Sequence, residues 1–149
     1  MRTLYIDTEF TQLSPERRLI SLALVDADGA EFYVELSDGW EPADCSAFVV
    51  EIVLPQLDLP RHGRSRAEAG PLLHAFLAGL GELEVVGDAL VWDWPLLLEL
   101  LGPRGLPDNV RDCRQVEDPL AALPAEEIPH HALYDARLLR DLCEAADND

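Results

Sequence analysis

The first strand of this sequence ends in Tyr5-Ile6-Asp7-Thr8-Glu9-Phe10. Leu4 and Ile6 would lie on one face of that strand. Asp7 and Glu9 would share the other face, because side chains two positions apart on a strand point the same way. Their Cα atoms would then be roughly 6.6–7 Å apart. Two carboxylates this close repel each other unless a cation lies between them, so the pair is suited to one or two divalent metals. Asp-x-Glu is a common pattern, so, considered alone, the pair is more simply explained as a solvated acidic turn at a strand end.

Length and composition predict a single globular domain over residues 1–149. Hydrophobic residues make up 48% of the sequence, which is enough for a sizeable core. No run of about 18 apolar residues occurs, so no membrane-spanning helix is expected. The start of the chain shows no signal-peptide pattern. Its cysteines, Cys45, Cys113 and Cys143, form no Cys-x-x-Cys pair, which is typical of a chain in a reducing cytoplasm.

The chain is strongly acidic. It has 29 acidic side chains against 11 basic ones, all arginine, and a formal net charge of -18. Such a surface repels polyanions. It argues against tight, sequence-blind binding to long nucleic acid, which depends on neutralising many phosphates. A short strand held locally by metal and a few arginines is compatible with this charge.

Hydrophobic periodicity predicts an α/β fold. Residues 18–25 form an apolar run typical of a buried central strand, and residues 31–36 alternate like an edge strand, so the first 36 residues give a three-stranded antiparallel meander. A loop is expected at 58–64. The rest alternates helices at 43–54 (or a strand), 65–80, 93–101 and 132–146 with strands at 83–86 and 110–113. The prediction is a mixed five-stranded sheet flanked by helices, with ligands at the carboxyl ends of its strands, where Asp7 and Glu9 lie.

The last helix carries another carboxylate. Asp135 lies four residues before Leu139, on the apolar stripe of the helix. A carboxylate facing a core is costly unless it is paired or bound to metal. A first-turn position favoured by the helix dipole explains Asp135 equally well. Just upstream, His130 and His131 could bind metal or supply a general base, because an ordinary histidine titrates near neutral pH. Two exposed histidines at a helix start are the alternative.

The middle of the chain holds two further aspartates, in Gly87-Asp88-Ala89-Leu90-Val91-Trp92-Asp93-Trp94-Pro95. Asp93 is predicted to begin a helix, where a simple N-cap role would account for it. Asp88 ends a strand and could be a turn residue. Trp92 suits a core, but it could also offer a stacking surface for a base.

Taken together, these residues carry a resemblance to a known family. Asp7-Thr8-Glu9, then Asp93, then His130 followed five residues on by Asp135 resemble the DEDDh branch of the 3′-to-5′ exonuclease superfamily, which has the ribonuclease H-like fold. The sharpest match is the segment 130–136 to the third motif of that family. The opening Asp-Thr-Glu-Phe resembles the small bacterial exoribonucleases of the superfamily, and the segment 63–66 is similar to them too.

The middle motif departs from the family pattern. The family usually has Asn four residues before its Asp and Phe just before it, whereas Ala89 and Trp92 stand here. Asp88 is therefore a rival to Asp93 as a metal ligand. In the third motif, the five-residue spacing to Asp135 selects His130 rather than its neighbour.

The resemblance implies a two-metal phosphodiesterase. The carboxylates of Asp7, Glu9, Asp93 and Asp135 would hold two Mg²⁺ or Mn²⁺ ions, which prefer oxygen ligands. His130 would take the proton from the attacking water. Nucleoside 5′-monophosphates would leave from the 3′ end of single-stranded nucleic acid, with RNA favoured over DNA.

The acidic charge leads us to expect short single strands with a 3′ end as the substrate. Phe10, Trp92, Arg64 and Arg66 are the candidate contacts, although a solvated helix entry would also explain the two arginines, and a homodimer is left open. The alternatives are a non-catalytic member that binds nucleotide or protein, motivated by the altered middle motif, and an acidic interaction protein that binds no metal.

Overall fold

The computed structural model describes residues 1–117, 120 and 122–147. Its strands are β1 (Arg2–Phe10), β2 (Leu19–Asp26), β3 (Glu31–Leu36), β4 (Gly63–Arg64), β5 (Leu83–Gly87) and β6 (Val110–Gln115). Its α-helices are α1 (Leu59–His62), α2 (Arg66–Ala78), α3 (Leu90–Leu101) and α4 (Ala132–Asp147). Among these described helices, none has the length and apolar character needed to cross a membrane.

The strands form one mixed sheet in the order β4-β3-β2-β1-β5-β6. The pairs β1–β2 and β2–β3 are antiparallel, which confirms the predicted meander. The pairs β1–β5, β5–β6 and β3–β4 are parallel. This is the predicted α/β architecture, compatible with a ribonuclease H-like fold. It places β1, which carries Asp7 and Glu9, between β2 and β5 inside the sheet.

The two faces of β1 contact different helices. Leu4 and Ile6 are fully buried in the larger core, which includes the inner sides of α2 and α3. Tyr5 belongs to a second cluster on the opposite face, formed with Ala132 and Ala136 of α4. The alternation read from the sequence is therefore confirmed, and it explains how α3 and α4 meet at the end of β1 from opposite sides.

The sheet has six strands instead of the five predicted. The expected loop at 58–64 contains the short helix α1 and the two-residue strand β4, which pairs Gly63 with Glu35 and Arg64 with Leu36. The backbone N–H of Ser37 extends this pairing by donating to the carbonyl of Arg64 at 2.8 Å. A two-residue strand is too short to show alternation, so the sequence pattern could not reveal it.

Helix α3 begins at Leu90, earlier than the predicted start at Asp93. The backbone N–H of Leu90 donates to the side chain of Gln115 at 2.9 Å. The N–H of Asp93 donates to the carbonyl of Ala89 at 3.0 Å, which is a helical bond. Asp93 therefore lies inside the first turn of α3 and is not its N-cap. The hydrogen bond that Leu90 donates to Gln115 of β6 is a long-range contact, which the local sequence cannot predict.

The predicted helix at 43–54 is irregular. It contains 3₁₀ turns at Pro42–Asp44 and Leu54–Gln56 and a π-helix at Val49–Val53. Val49 and Val53 pack against Ile20 on β2, whereas Phe48 and Ile52 are exposed. Helical spacing predicts that Phe48, Val49, Ile52 and Val53 form one buried stripe, and only half of these residues are buried. π-Helical turns occur frequently at functional sites. Val49 of this π-helix lines the same pocket as Asp7 and Glu9.

The segment Ser65-Arg66-Ala67-Glu68 predicts a capping box at the start of α2, and the helical spacing predicts that Leu72, Leu73 and Leu77 are buried. The capping box is present. The hydroxyl of Ser65 accepts the backbone N–H of Glu68 at 3.2 Å, and the carboxylate of Glu68 accepts the N–H of Ser65 at 3.1 Å. Leu73 and Leu77 are buried as expected, whereas Leu72 is exposed. The helix thus starts at Arg66, with Pro71 within it.

Candidate active site

Three elements bring carboxylates together at the carboxyl end of β1. Asp7 and Glu9 come from β1, Asp93 from the first turn of α3, and Asp135 from the first turn of α4. Asp7, Glu9 and Asp135 each offer an oxygen within 4.8 Å of the others. Asp7, Asp93 and Asp88 form a second such group, so Asp7 is shared by both.

The surroundings of these carboxylates oppose their ionisation. Removal from solvent raises the pKa of Asp7 well above its ordinary value, and the charges of Glu9, Asp93 and Asp135 raise it further. The pKa of Glu9 is raised by the same removal from solvent and then by the charge of Asp135. Several mutually repelling carboxylates are therefore removed from solvent together.

Two of the carboxylate oxygens are left without donors. Oδ2 of Asp7 and Oδ2 of Asp93 are buried and have no hydrogen-bond partner among the described residues. Buried polar atoms in folded proteins nearly always have a partner. Unsatisfied oxygens on mutually repelling carboxylates are the arrangement that a divalent cation would complete, so the donor set fits hard metal ions.

The two helix-borne aspartates keep part of their hydrogen bonding. Burial raises the pKa of Asp93 to about 7, although the hydroxyl of Thr8 opposes this by donating to Oδ1 at 2.6 Å. Burial likewise raises the pKa of Asp135 to about 6, against the opposing bond from the backbone N–H of His130 at 3.2 Å. Thr8 was not singled out from the sequence, although the strand alternation places it on the face that α3 covers.

These groups line one pocket of about 480 Å³. One side of it is charged, and the other is an aromatic and aliphatic wall. The lining includes Asp7, Glu9, Asp93, Asp135, His130, Phe10, Leu13, Phe48, Val49 and Trp92. A pocket with this division can hold a charged group against the carboxylates, through bound cations, and an apolar ring against the wall.

The two neighbouring histidines have different surroundings. His130 lines the pocket, and burial lowers its pKa, which favours the neutral, proton-accepting form. His131 is only 8% exposed. Its Nε2 lies 3.2 Å from the hydroxyl of Tyr33, and its ring stacks on Tyr134 with 4.2 Å between centroids. The structure therefore brings His130, and not His131, to the carboxylates.

The two predicted stacking residues lie side by side. The rings of Phe10 and Trp92 are stacked, with 5.9 Å between centroids and 17° between planes. The guanidinium of Arg17 lies over both rings, 4.9 Å from the Trp92 centroid, and donates to the Trp92 carbonyl at 2.8 Å. Arg17 was missed in the sequence because nothing local links it to residue 92. The pair forms a supported aromatic surface in the wall of the pocket.

The two arginines predicted to bind substrate do not line this pocket, and their role in substrate binding stays a prediction. Arg64 belongs to β4 and lines a different cavity with His62. The backbone N–H of Arg66 donates to Asp38 at 2.8 Å, and its guanidinium pairs with Glu99 at 3.6 Å. Strand pairing at Arg64 and this ion pair at Arg66 hold both residues outside the pocket.

Asp88 and Asp93 do not exclude each other. Both lie within reach of Asp7, but only Asp93 is among the described residues that line the pocket. The carbonyl of Asp88 accepts the side-chain amide of Gln115 at 2.6 Å. Asp93 therefore lines the pocket beside Asp7, whereas Asp88 is within reach of Asp7 but is not among the described lining residues.

Comparison with known proteins agrees with this geometry. No protein-family model matches the chain. Two curated 3′-5′ exoribonucleases of Mycobacterium tuberculosis, from strains CDC 1551 / Oshkosh and H37Rv, are each 33% identical to it. The alignments span 149 positions and cover 92% of this chain and 88% of each relative. At this identity and coverage, the chain belongs to the same family of 3′-5′ exoribonucleases.

Proposed function

We propose that this chain is a metal-dependent exonuclease that removes nucleoside 5′-monophosphates from the 3′ end of single-stranded RNA. The observation that carries the proposal is the convergence of four carboxylates and His130 in one pocket, with buried oxygens of Asp7 and Asp93 lacking donors. Both relatives are named as 3′-5′ exoribonucleases, which supports RNA as the substrate.

Asp7, Glu9, Asp93 and Asp135 would hold two Mg²⁺ or Mn²⁺ ions. When bound, such ions supply positive charge that offsets the carboxylates and stabilises charge developing on the phosphate. The shared position of Asp7 in both acidic groups suits it to contact both ions. The low number of donors around Asp93 leaves its second oxygen available for this role.

His130 would accept the proton of the water that attacks the phosphodiester. Burial lowers the pKa of His130, which favours the neutral ring that a general base requires. The water oxygen would bond to phosphorus as the P–O3′ bond breaks, and the 3′ oxygen would leave with the shortened strand and take up a proton. The phosphate would stay on the 5′ oxygen of the released nucleotide. The aromatic surface of Phe10 and Trp92 would stack the terminal base and place its phosphate at the carboxylates.

Digestion of 5′-labelled RNA and DNA oligonucleotides with Mn²⁺ tests this function. We expect a ladder of products shortened one nucleotide at a time from the 3′ end, faster on RNA, and none in EDTA. Full activity in EDTA would refute the metal mechanism. Binding of oligonucleotide without any shortening would favour the non-catalytic alternative that Ala89 and Trp92 motivate.

The adjacent histidines provide a matched pair for the same assay. His130→Ala should reduce kcat by about a hundredfold or more, the usual effect of losing a general base. His131→Ala should reduce it far less, because His131 lies against Tyr33 and Tyr134 outside the pocket. A larger loss at His131, with both variants folded, would show that the base has been assigned to the wrong residue.

Substrate length is the third test. With a net charge of -18, long-range capture of a polyanion should be poor. We therefore expect kcat/KM to level off for strands longer than a few nucleotides. A steep rise beyond about ten nucleotides, with a strong salt dependence, would reveal many phosphate contacts and contradict the short-substrate proposal.

A further inference from the structure

We infer that Gln56 is a positioning residue for His130: its side-chain amide holds the backbone of His130 so that the imidazole lines the pocket. The inference rests on the proposed function, in which His130 is the general base. It concerns a residue outside the carboxylate motifs, in the 3₁₀ turn Leu54–Gln56 that follows the π-helix.

The amide nitrogen of Gln56 makes three contacts. Nε2 lies 2.9 Å from the carbonyl oxygen of Ile52, 2.9 Å from that of Pro129 and 3.1 Å from that of His130. Its two N–H groups donate to these three carbonyls, so one hydrogen is shared between two of them. All three partners are acceptors, so the amide must present its N–H₂ group and not its oxygen. One side chain therefore joins the π-helix wall of the pocket to the loop that carries the histidine.

The conformation of His130 needs such support. Its φ is 54°, in the left-handed region, and it is the one described non-glycine residue with a positive φ. A side chain with a Cβ adopts this region at an energetic cost and keeps it only where its surroundings hold it there. The N–H of His130 donates to Oδ1 of Asp135 at 3.2 Å. The Gln56 bond to its carbonyl therefore holds the other side of the same residue.

The ring is held from the same segment. Phe48 lies just before the π-helix and meets the His130 ring edge to face, with 4.9 Å between centroids. The segment beyond Gln56 is itself anchored, because the N–H of Asp58 donates at 2.7 Å to the fully buried carboxylate of Glu35. Gln56 thus extends from a fixed backbone to the histidine.

The first experiment replaces the amide. Gln56→Met keeps the length and removes the donor, and Gln56→Glu places an oxygen against three carbonyls. For both we expect kcat on a short RNA with Mn²⁺ to fall about tenfold to a hundredfold, as misplacement of a catalytic group does. KM should change by less than about twofold, because the lost interaction serves the reaction and not ground-state binding.

Asn109→Asp is the matched control. The amide of Asn109 donates to the carbonyls of Leu77 at 2.8 Å and Gly81 at 2.7 Å, and it does not line the pocket. The same amide-to-carboxylate change there should lower the melting temperature without lowering kcat. If Gln56→Glu and Gln56→Met lower kcat no more than Asn109→Asp does, the inference is wrong.

A double-variant cycle separates positioning from general damage. In a His130→Ala background, Gln56→Met should cause no further loss of kcat, since the group that it positions is gone. A multiplicative loss would show that Gln56 acts on something else. Loss in Gln56→Met with full activity in His130→Ala would instead overturn the proposed base.

A measurement on the metal-free protein keeps the inference independent of activity. Both Gln56 variants should shift or broaden the ¹H–¹³C imidazole signals of His130 in NMR spectra, and Asn109→Asp should leave them unchanged. Should wild-type protein show no nuclease activity, the proposed function fails, and these spectra still decide the positioning. Unchanged His130 signals in both variants would overturn it.

Discussion

The two ends of the central strands bury carboxylates in opposite ways. Asp26 is the last residue of β2 and lies beside the start of β1, whereas Asp93 lies in α3 near Asp7, towards the other end of β1. Each of these aspartates is 1% exposed. Asp26 accepts hydrogen bonds from the guanidinium of Arg2 and from the backbone N–H groups of Asp28 at 2.9 Å and Ala30 at 2.8 Å. Asp93 has the hydroxyl of Thr8 on one oxygen and no described partner on the other.

The pKa values of these two carboxyl groups move in opposite directions. Burial alone would raise the pKa of Asp26, but the Arg2 and backbone hydrogen bonds bring it below its ordinary value. Burial raises the pKa of Asp93 to about 7, and the single Thr8 bond does not reverse this. Donors surround the carboxylate of Asp26, whereas Asp7 and Asp93 in the pocket each keep one buried oxygen with no donor among the described residues. The difference points to a ligand as the missing partner.

The largest expected effect is on activity. Asp7→Asn should reduce kcat on RNA by about a thousandfold, because it removes a shared metal ligand worth several kcal/mol in the transition state. Asp26→Asn makes the same chemical change at the satisfied site and should leave kcat within about twofold while lowering the melting temperature. The contrast fails if Asp26→Asn is as inactive as Asp7→Asn in a folded protein.

Metal binding should show the same contrast in stability. Mn²⁺ at about a hundred times its dissociation constant should raise the free energy of unfolding of the wild-type protein by about 2.7 kcal/mol. Asp26→Asn should keep that increase, and Asp7→Asn and Asp93→Asn should lose most of it. Thermal unfolding with and without Mn²⁺ measures this increase in stability. If Mn²⁺ does not stabilise the wild-type protein, the alternative of an acidic interaction protein is favoured.

The local sequence predicts correctly the features of the fold that depend on a single helix or strand. Alternation placed Asp7 and Glu9 on one face of β1, and the capping pattern located the start of α2 at Arg66. The local sequence does not predict features that depend on a hydrogen bond or an ion pair with a residue far away in the chain. The start of α3 depends on Gln115, and the position of Arg66 depends on Glu99. The metal-ligand and base assignments remain predictions, carried by the resemblance of the motifs and by the pocket geometry.

Gln56 illustrates the same limit in the site itself. It follows a proline in a segment whose helix is of the π and 3₁₀ types, and its acceptors include Pro129 and His130, more than seventy residues away. No periodicity or motif in the sequence marks it. Arg17 was hidden for the same reason, because the aromatic pair that it covers joins residues from β1 and α3.

The pH dependence of stability is the next smaller effect. In the metal-free protein Asp93 and Asp135 have folded-state pKa values of about 7 and about 6, above the ordinary value near 4. The folded state therefore binds more protons than the unfolded state, and this contribution to stability is lost as pH rises through that window. We expect the free energy of unfolding in EDTA to fall by on the order of 5 kcal/mol between about pH 4.5 and about pH 8, because each unit of pKa shift corresponds to about 1.4 kcal/mol.

The variant Asp93→Asn tests whether Asp93 causes this decrease in the free energy of unfolding with pH. It should flatten the upper part of the pH profile, because the group that titrates near pH 7 is gone. Asp26→Asn should leave this window unchanged, because the lowered pKa of Asp26 makes it act at more acidic pH. A metal-free wild-type protein that becomes more stable from pH 4.5 to pH 8 would contradict the picture of an unsatisfied site.

The smallest effect tests the Thr8 hydroxyl, the one hydrogen-bond donor to the Asp93 carboxylate among the described residues. The Thr8 hydroxyl donates to Asp93 at 2.6 Å, so Thr8→Val should raise the pKa of Asp93 and weaken Mn²⁺ binding at pH 7 about tenfold. Thr3→Val is the matched control, because Thr3 on the same strand donates to Glu84 at 3.1 Å. Protons compete with the metal for the carboxylate, so the difference between the two variants, measured by calorimetric titration, should narrow as pH rises above the pKa of Asp93. Equal affinities in the two variants at pH 7 would mean that Asp93 needs no donor from the chain, and the contrast with Asp26 would then rest on Asp7 alone.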